Sequence, residues 1–224
     1  MNVLVFDTET SNINHSDCFS INGNMILNIG GVIIDVERKE IIEEFDYLIE
    51  EIWENEEIMD NFYFKDRLDK FQDITEVTFS DAIKNIKNLL QKYNVNTVLA
   101  YNISFDQQSL LDTCDYMHMY IDLSKYEIKD IYAMACDMLK RNKEAYSVFC
   151  TETGRLSPAG NRLTNAESVY AFLTGNPDYA EDHTALEDSR IEAVIFLECQ
   201  NYENKYNITL ESKPNRQCWR WAQG

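Results

Sequence analysis

Two acidic residues near the N-terminus, Asp7 and Glu9, have the spacing of a metal-binding pair. They follow the apolar residues 3–6, a run typical of a buried strand. Side chains two residues apart in a strand point the same way, so these two carboxylates share one face. They repel each other unless a positive charge lies between them, and hard divalent cations bind such oxygen ligands. The pair indicates either a metal site or, in so acidic a chain, a solvated strand end.

A third acid, Asp106, follows a second apolar run at residues 97–101. Ser104 and Gln107 have the spacing of a capping box, which predicts a helix that begins at Phe105. Asp106 then lies in the first turn, where an acid can simply favour the helix dipole. However, ligand sites in α/β sheets also favour the carboxyl ends of strands, so Asp106 is a candidate ligand.

A histidine and a fourth acid flank another predicted helix start, at His183 and Asp188. Thr184 and Glu187 form a second capping-box pattern, with Thr184 as the N-cap. His183 and Asp188 then hold the two positions that meet in a hydrophobic staple. An imidazole beside a potential metal ligand suits a general base, although a surface histidine next to an acidic helix start is the alternative.

The elements that must position these residues are a run of strands followed by alternating strands and helices. Apolar and β-branched runs predict strands at residues 3–6, 25–35, 41–49, 97–101 and 127–130. Helical spacing predicts helices at residues 80–93, 105–117, 131–139, 165–173 and 185–202. Residues 50–71 are interpreted as helix and loop, and the chain between residues 139 and 165 as irregular. This order predicts a mixed α/β sheet flanked by helices.

The three acidic segments together resemble the motifs of the DEDDh 3′–5′ exonucleases, the superfamily of epsilon-type proofreading subunits, oligoribonuclease and ribonuclease T. The matching segments are Asp7-Thr8-Glu9-Thr10, Asn102-x-x-Phe105-Asp106 and His183-x4-Asp188. They extend from residue 7 to residue 188, and therefore cover nearly the whole chain. His183 excludes the variant of the family that has tyrosine in the third motif.

This resemblance implies a ribonuclease-H-like α/β fold with a five-stranded mixed sheet flanked by helices. It also implies two divalent ions, Mg²⁺ or Mn²⁺. Asp7, Glu9 and Asp188 would hold one ion, and Asp7 would bridge to a second ion that Asp106 reaches. His183 would accept the proton of the attacking water. The implied activity is removal of nucleoside 5′-monophosphates from the 3′ end of single-stranded nucleic acid, with DNA favoured. The positions where family members commonly contact the terminal nucleotide are Thr8, Thr10, Asn102 and Phe105.

The charge of the chain restricts how it could hold such a substrate. Thirty-nine acidic against 20 basic residues give a net charge of −19, the wrong sign for a broad duplex footprint. A short single-stranded 3′ end, held by metal ions and a few stacking or basic groups, fits this surface better. Residues 138–164 carry a local excess of basic residues and are predicted to form a substrate flap, with Arg155 and Arg162 on phosphates; an ordinary solvated connection is the alternative. The basic and aromatic tail, residues 212–224, could stack bases, but packing on its own domain is favoured.

The remaining expectations concern organisation and partners. Residues 1–224 are expected to form one domain in the cytoplasm, without a membrane segment, as a monomer or homodimer. A polymerase or another replication protein is a candidate partner. The six cysteines are expected to be reduced thiols: Cys18, Cys114, Cys136, Cys150, Cys199 and Cys218. Two alternative functions are a 3′–5′ exoribonuclease of the oligoribonuclease or ribonuclease T type and, more remotely, a non-catalytic acidic interaction protein on a nuclease fold.

Overall fold

The structure, a computed structural model, describes residues 1–13, 23–60, 62, 65–215 and 217–223. Its centre is a six-stranded mixed sheet with the order β4-β3-β2-β1-β5-β6. The strands are β1 (Asn2–Ile13), β2 (Gly23–Asp35), β3 (Glu40–Ile49), β4 (Thr75–Val77), β5 (Thr97–Ala100) and β6 (Glu127–Asp130). Strands β1, β2 and β3 are antiparallel, whereas β4 pairs parallel to β3 and β5 lies parallel between β1 and β6. All five predicted strands are present, and β4 is an additional sixth.

Helices cover both faces of this sheet. The α-helices are α1 (Glu50–Trp53), α2 (Glu56–Met59), α3 (Phe79–Lys92), α4 (Ile103–Tyr116), α5 (Ile131–Arg141), α6 (Lys143–Thr153), α7 (Ala166–Thr174) and α8 (Ala185–Tyr206). Two 3₁₀ helices, Lys65–Phe71 and Cys218–Ala222, complete the described elements. Helix α6 corrects the prediction of an irregular segment between residues 139 and 165. No helix in the described ranges is both long and apolar enough to cross a membrane.

Alternation along β1 separates two apolar cores. Leu4 and Phe6 pack in the core that contains α3 and α4, whereas Val3 and Val5 pack in the core that contains α5, α7 and α8. The same alternation continues past residue 6, because β1 extends to Ile13 instead of ending there as predicted. Asp7 and Glu9 therefore lie within the strand and on the side of α8.

The first turn of α8 lies directly against β2 at Gly30, which pairs with Asp7. A methyl carbon built on Gly30 would lie 2.6 Å from Leu186 Cα, and closer still to Leu186 N. Glycine therefore allows an approach between strand and helix that any side chain would block. The amide of Ala185 donates to the Asn28 Oδ1 atom (2.8 Å), so the helix start is tied to β2.

The two predicted capping boxes are not formed as expected. Helix α8 begins after Thr184 as predicted, but the Thr184 side chain makes no capping hydrogen bond, and Asn28 takes its place. Helix α4 begins at Ile103, two residues before the predicted start. Asn102 is its N-cap in a left-handed conformation (φ 65°), and its backbone N–H donates to Asp130 Oδ1 (3.0 Å).

The cysteines that the structure describes are free thiols, as expected. They are Cys114, Cys136, Cys150, Cys199 and Cys218. Cys18 lies outside the described residues, as do Arg216 and Gly224 of the C-terminal tail.

Candidate active site

The structure brings the first and third acidic segments together. Glu9, His183 and Asp188 each offer one ligand atom, and these three atoms lie within 4.8 Å of one another. Glu9 comes from β1, whereas His183 and Asp188 come from the start of α8. The contact depends on the close approach of α8 to β2, since Asn28 pairs with Glu9 in the sheet and also binds the first amide of α8.

Asp7 lies at the centre of the acidic residues. Burial raises its pKa well above the ordinary value, and the negative charges of Glu192, Asp106, Glu9 and Asp188 raise it further. Asp106 lies against the same strand, because its Oδ1 atom accepts a hydrogen bond from the hydroxyl of Thr8, the residue between Asp7 and Glu9 (2.8 Å). The second segment, which supplies Asp106, therefore lies beside the first.

Burial also raises the pKa of the other acids. It raises the pKa of Glu9 and Asp106 to about 7 and, with the nearby charges of Glu181 and Glu9, that of Asp188 to about 8. Without cations the site thus keeps protons near neutral pH. Asp188 is 9% exposed, and its Oδ1 atom is buried and accepts no hydrogen bond from the described residues. A divalent cation binds carboxylate oxygens, and a buried carboxylate oxygen without a hydrogen bond is a candidate ligand for it.

Thr8 positions Asp106. Its hydroxyl donates to Asp106 Oδ1 (2.8 Å), and both side chains are buried. Thr8 was predicted to contact the terminal nucleotide, but this hydrogen bond uses its hydroxyl within the protein. Because Thr8 faces α4 whereas Asp7 faces α8, neighbouring residues of β1 reach both sides of the site.

His183 lies at the edge of the acidic group with its side chain 26% exposed. Its backbone has φ 55°, a left-handed conformation that residues other than glycine seldom adopt. Its Nδ1 atom lies 3.9 Å from Glu181 Oε2. Burial raises the pKa of Glu181 to about 7. No pattern in the sequence marks Glu181, because a carboxylate in an acidic loop carries no signal of this contact.

Glu192 is a second acidic residue that the sequence analysis missed. It is 3% exposed and lies four residues after Asp188, on the same face of α8. Its Oε2 atom accepts the backbone N–H of Tyr101 (3.1 Å). The helical spacing from Asp188 was the signal that could have identified it.

An open cleft of about 800 Å³ is lined by part of this acidic group and falls within the size range of small-ligand sites; Glu9, Asp106 and His183 are not in its lining. The acids at its floor are Asp7, Glu181, Asp188 and Glu192. Its walls include Asn102 and the aromatic residues Tyr101, Phe105, Tyr132 and Trp219. Asn102 and Phe105 were predicted to bind substrate and lie in this cleft, whereas Thr10 is half-buried and is not part of its lining.

The predicted flap arginines are engaged within the protein. Arg155 is 10% exposed, pairs with Glu167 (2.7 Å) and donates to the backbone oxygens of Pro177 and Tyr179. Arg162 donates from Nη1 to the backbone oxygen of Ala222 (2.9 Å). Neither arginine lines the cleft. This placement argues against the predicted phosphate contacts, because moving either guanidinium to a substrate would break its hydrogen bonds within the protein.

The C-terminal tail both packs and contributes to the cleft. The ring of Trp221 lies 6.2 Å from that of Tyr146, in the apolar core beside α6. Trp219 is 37% exposed and lines the cleft. Trp221 packs on the chain's own domain, as favoured, and the exposed part of Trp219 faces the cleft.

Solved structures provide the comparison with known proteins, since no family model and no curated protein matches this sequence. The nuclease domain of 3′hExo, a DEDDh family member solved with bound rAMP, has a TM-score of 0.59 at 13% identity, over 95% of this chain and 96% of that one. The fold is that of the DEDDh exonucleases. Cell-death related nuclease 4 (CRN-4) also has a TM-score of 0.59 at 13% identity, over 94% of this chain. E. coli Exonuclease I in complex with a dT13 oligonucleotide has a TM-score of 0.52 at 11% identity, over 92% of this chain.

This chain spans 66% of the CRN-4 chain and 42% of the Exonuclease I chain. At these identities the likeness is one of fold. The resemblance to the DEDDh exonucleases and the predicted ribonuclease-H-like α/β class are confirmed, with six strands in the sheet instead of the expected five.

Proposed function

We propose that this chain is a metal-dependent 3′–5′ exonuclease that removes nucleoside 5′-monophosphates from single-stranded nucleic acid, with DNA favoured. The observation that carries the proposal is the meeting of Glu9, His183 and Asp188 within 4.8 Å in a DEDDh fold. These residues lie 174 or more positions apart between β1 and α8, so their convergence is a property of the fold and not of local sequence. The open cleft lined by Asp188 and Asp7 supplies a route for a nucleic acid end.

The residues fit divalent cations. Asp188 has a buried oxygen without a hydrogen bond, and Asp7 is surrounded by other acids. Asp7, Glu9 and Asp188 would hold one Mg²⁺ or Mn²⁺, and Asp7 and Asp106 a second. Two such ions stabilise the attacking and leaving oxygens of an in-line displacement at phosphorus.

His183 is the residue placed to accept the proton of the attacking water. Its exposed fraction lets water reach the imidazole, and an imidazole nitrogen can accept the proton of that water. The Glu181 carboxylate near Nδ1 would stabilise the imidazolium that forms. Thr8 holds the Asp106 carboxylate in place during the reaction.

The cleft suits a short single strand. Phe105 and Trp219 are both exposed aromatic residues in its lining, and aromatic rings stack on bases of any sequence. No residue of the motifs distinguishes a deoxyribose from a ribose, so RNA is the competing substrate. A polymerase partner and the oligomeric state stay predictions.

The test is incubation of one oligonucleotide sequence, as DNA and as RNA, with a label at either the 5′ or the 3′ end. With Mg²⁺ or Mn²⁺ the 5′-labelled strand should shorten one nucleotide at a time, and the 3′ label should leave first as a mononucleotide. EDTA should stop both the shortening of the 5′-labelled strand and the release of the 3′ label. Asp188→Asn should abolish cleavage, whereas Asp115→Asn, the same change on the exposed side of α4, should not.

Internal cleavage, cleavage in EDTA or full activity of Asp188→Asn would contradict the proposal. Binding of either strand without any cleavage would instead favour the non-catalytic alternative. Faster release of mononucleotides from RNA than from DNA would favour the exoribonuclease alternative.

A further inference from the structure

Glu192 lies outside the three segments that identified the site. It follows Asp188 by one helical turn on α8, and both side chains point to the same side of the helix. That side faces β1, because α8 packs across β1 and β2. Glu192 thus reaches the floor of the cleft from a position that no motif marks.

The contacts of Glu192 hold its carboxylate in the cleft that Asp7 also lines. One oxygen, Oε2, accepts the backbone N–H of Tyr101 at the end of β5, the strand next to β1. Asp7, Asp188 and Glu192 line the same cleft.

A structural role alone does not account for an acid at this position. A neutral glutamine could accept the Tyr101 N–H equally well, since an amide oxygen is also an acceptor. The ion pairs among the described residues include no basic partner for Glu192. A buried carboxylate without a cation destabilises the fold, and other carboxylates in the same cleft add to this cost. A cation that enters from the cleft would remove this cost.

We propose that Glu192 is a fifth carboxylate of the divalent-metal site, placed in the same cleft as Asp7 and Asp188 to help hold the cation that Asp7 ligates. This inference rests on the proposed function, because it needs a metal site at Asp7. It assigns Glu192 two opposite effects. Glu192 strengthens metal binding and weakens the metal-free fold.

The test is calorimetric titration of the full chain with Mn²⁺, for the wild type, Glu192→Gln and Glu198→Gln. Glu198 is an exposed acid on the same helix, so its substitution removes the same charge away from the site. We expect Glu192→Gln to weaken Mn²⁺ binding by about tenfold or more, the size typical for loss of a group that supports a metal site. Glu198→Gln should bind Mn²⁺ as the wild type does.

Thermal melting in EDTA provides the second measurement. Glu192→Gln should melt at a higher temperature than the wild type in EDTA at pH 8, and should gain less from added Mn²⁺. Equal Mn²⁺ affinity of Glu192→Gln and wild type would overturn the inference and leave the proposed function standing. A wild type that binds no Mn²⁺ would overturn both. Failure of Glu192→Gln to fold would also contradict the inference, which assigns Glu192 a destabilising effect in the metal-free protein.

Discussion

Gly30 controls how closely α8 approaches the sheet, and Gly30→Ala tests whether that approach builds the site. The added methyl carbon would lie 2.6 Å from Leu186 Cα, and its nearest neighbours are all backbone atoms of the first turn of α8. A backbone cannot rotate away as the end of a side chain can. The helix start must therefore move off the strand.

The size of the effect follows from this geometry. Ordinary contact requires the first turn of α8 to move by about 1 Å, and a displacement of that size between reacting groups can reduce the rate by about 10²-fold. His183 and Asp188 flank this turn and would move relative to Glu9 on β1. Overpacking of this kind also costs about 1–3 kcal/mol of the free energy of unfolding.

The neighbouring glycine provides the matched control. A methyl carbon on Gly31 would lie 2.6 Å from Phe45 Cζ, the end of a side chain in the α3 and α4 core on the other face of the sheet. Gly31→Ala should therefore lower stability but keep most of the activity. Removal of mononucleotides from a single-stranded oligonucleotide measures activity, and urea unfolding measures stability. Wild-type activity of Gly30→Ala, or an equal loss of activity in both variants, would refute the reasoning.

Three further predictions concern the acids and the cleft. Burial raises the pKa of Asp188 to about 8 in the folded protein, well above that of an unfolded aspartate. The metal-free folded protein therefore holds a proton that the unfolded chain releases. Its melting temperature in EDTA should fall as the pH rises from 5 to 8. Saturating Mn²⁺ should remove most of this fall, and a melting temperature in EDTA that rises with pH would contradict the assignment. Thr8→Val should lower the free energy of unfolding at pH 8 by about 1–3 kcal/mol and reduce activity, because it removes the hydroxyl that donates to the Asp106 carboxylate; unchanged urea unfolding would argue against this contact. Trp219→Ala should weaken binding of a single-stranded oligonucleotide by about 1–3 kcal/mol, measured by fluorescence anisotropy. Val148→Ala, an exposed position distant in sequence from the motifs, is the control. Equal affinity of Trp219→Ala and the wild type would show that Trp219 does not contact the substrate.

Local patterns predicted the elements that carry the site. The apolar run at the start of β1 and the alternation after it placed Asp7 and Glu9 on one face, and Thr184 marked the start of α8. Both signals depend on residues within a few positions of each other. These local signals also gave the order of strands and helices along the chain, and that order predicted the α/β fold class.

Other features depend on contacts between distant residues. Asn28 replaces the expected Thr184 cap from 157 positions away, which no local pattern encodes. The ion pair between Arg155 and Glu167 joins a loop to the next helix, so no local pattern shows that Arg155 is already paired and not free to bind phosphate. Strand β4 has three residues, of which Val77 alone is aliphatic, so it has no apolar run to detect.

Helix α6 and Glu192 were missed for different physical reasons. Helix α6 buries only two side chains, Tyr146 and Cys150, so its apolar face is too narrow to predict a helix. Glu192 has the right helical spacing from Asp188. In a chain with 39 acidic residues, however, this spacing also occurs by chance, and the burial of Glu192 in the structure is what distinguishes it from the other acids.

Anomalous scattering from a crystal soaked in Mn²⁺ tests most directly whether these carboxylates form a metal site. The account predicts a Mn²⁺ peak in contact with Asp7, Glu9 and Asp188, and its loss in crystals of Asp188→Asn. A map without a peak at these carboxylates, at a Mn²⁺ concentration that supports cleavage in solution, would contradict it.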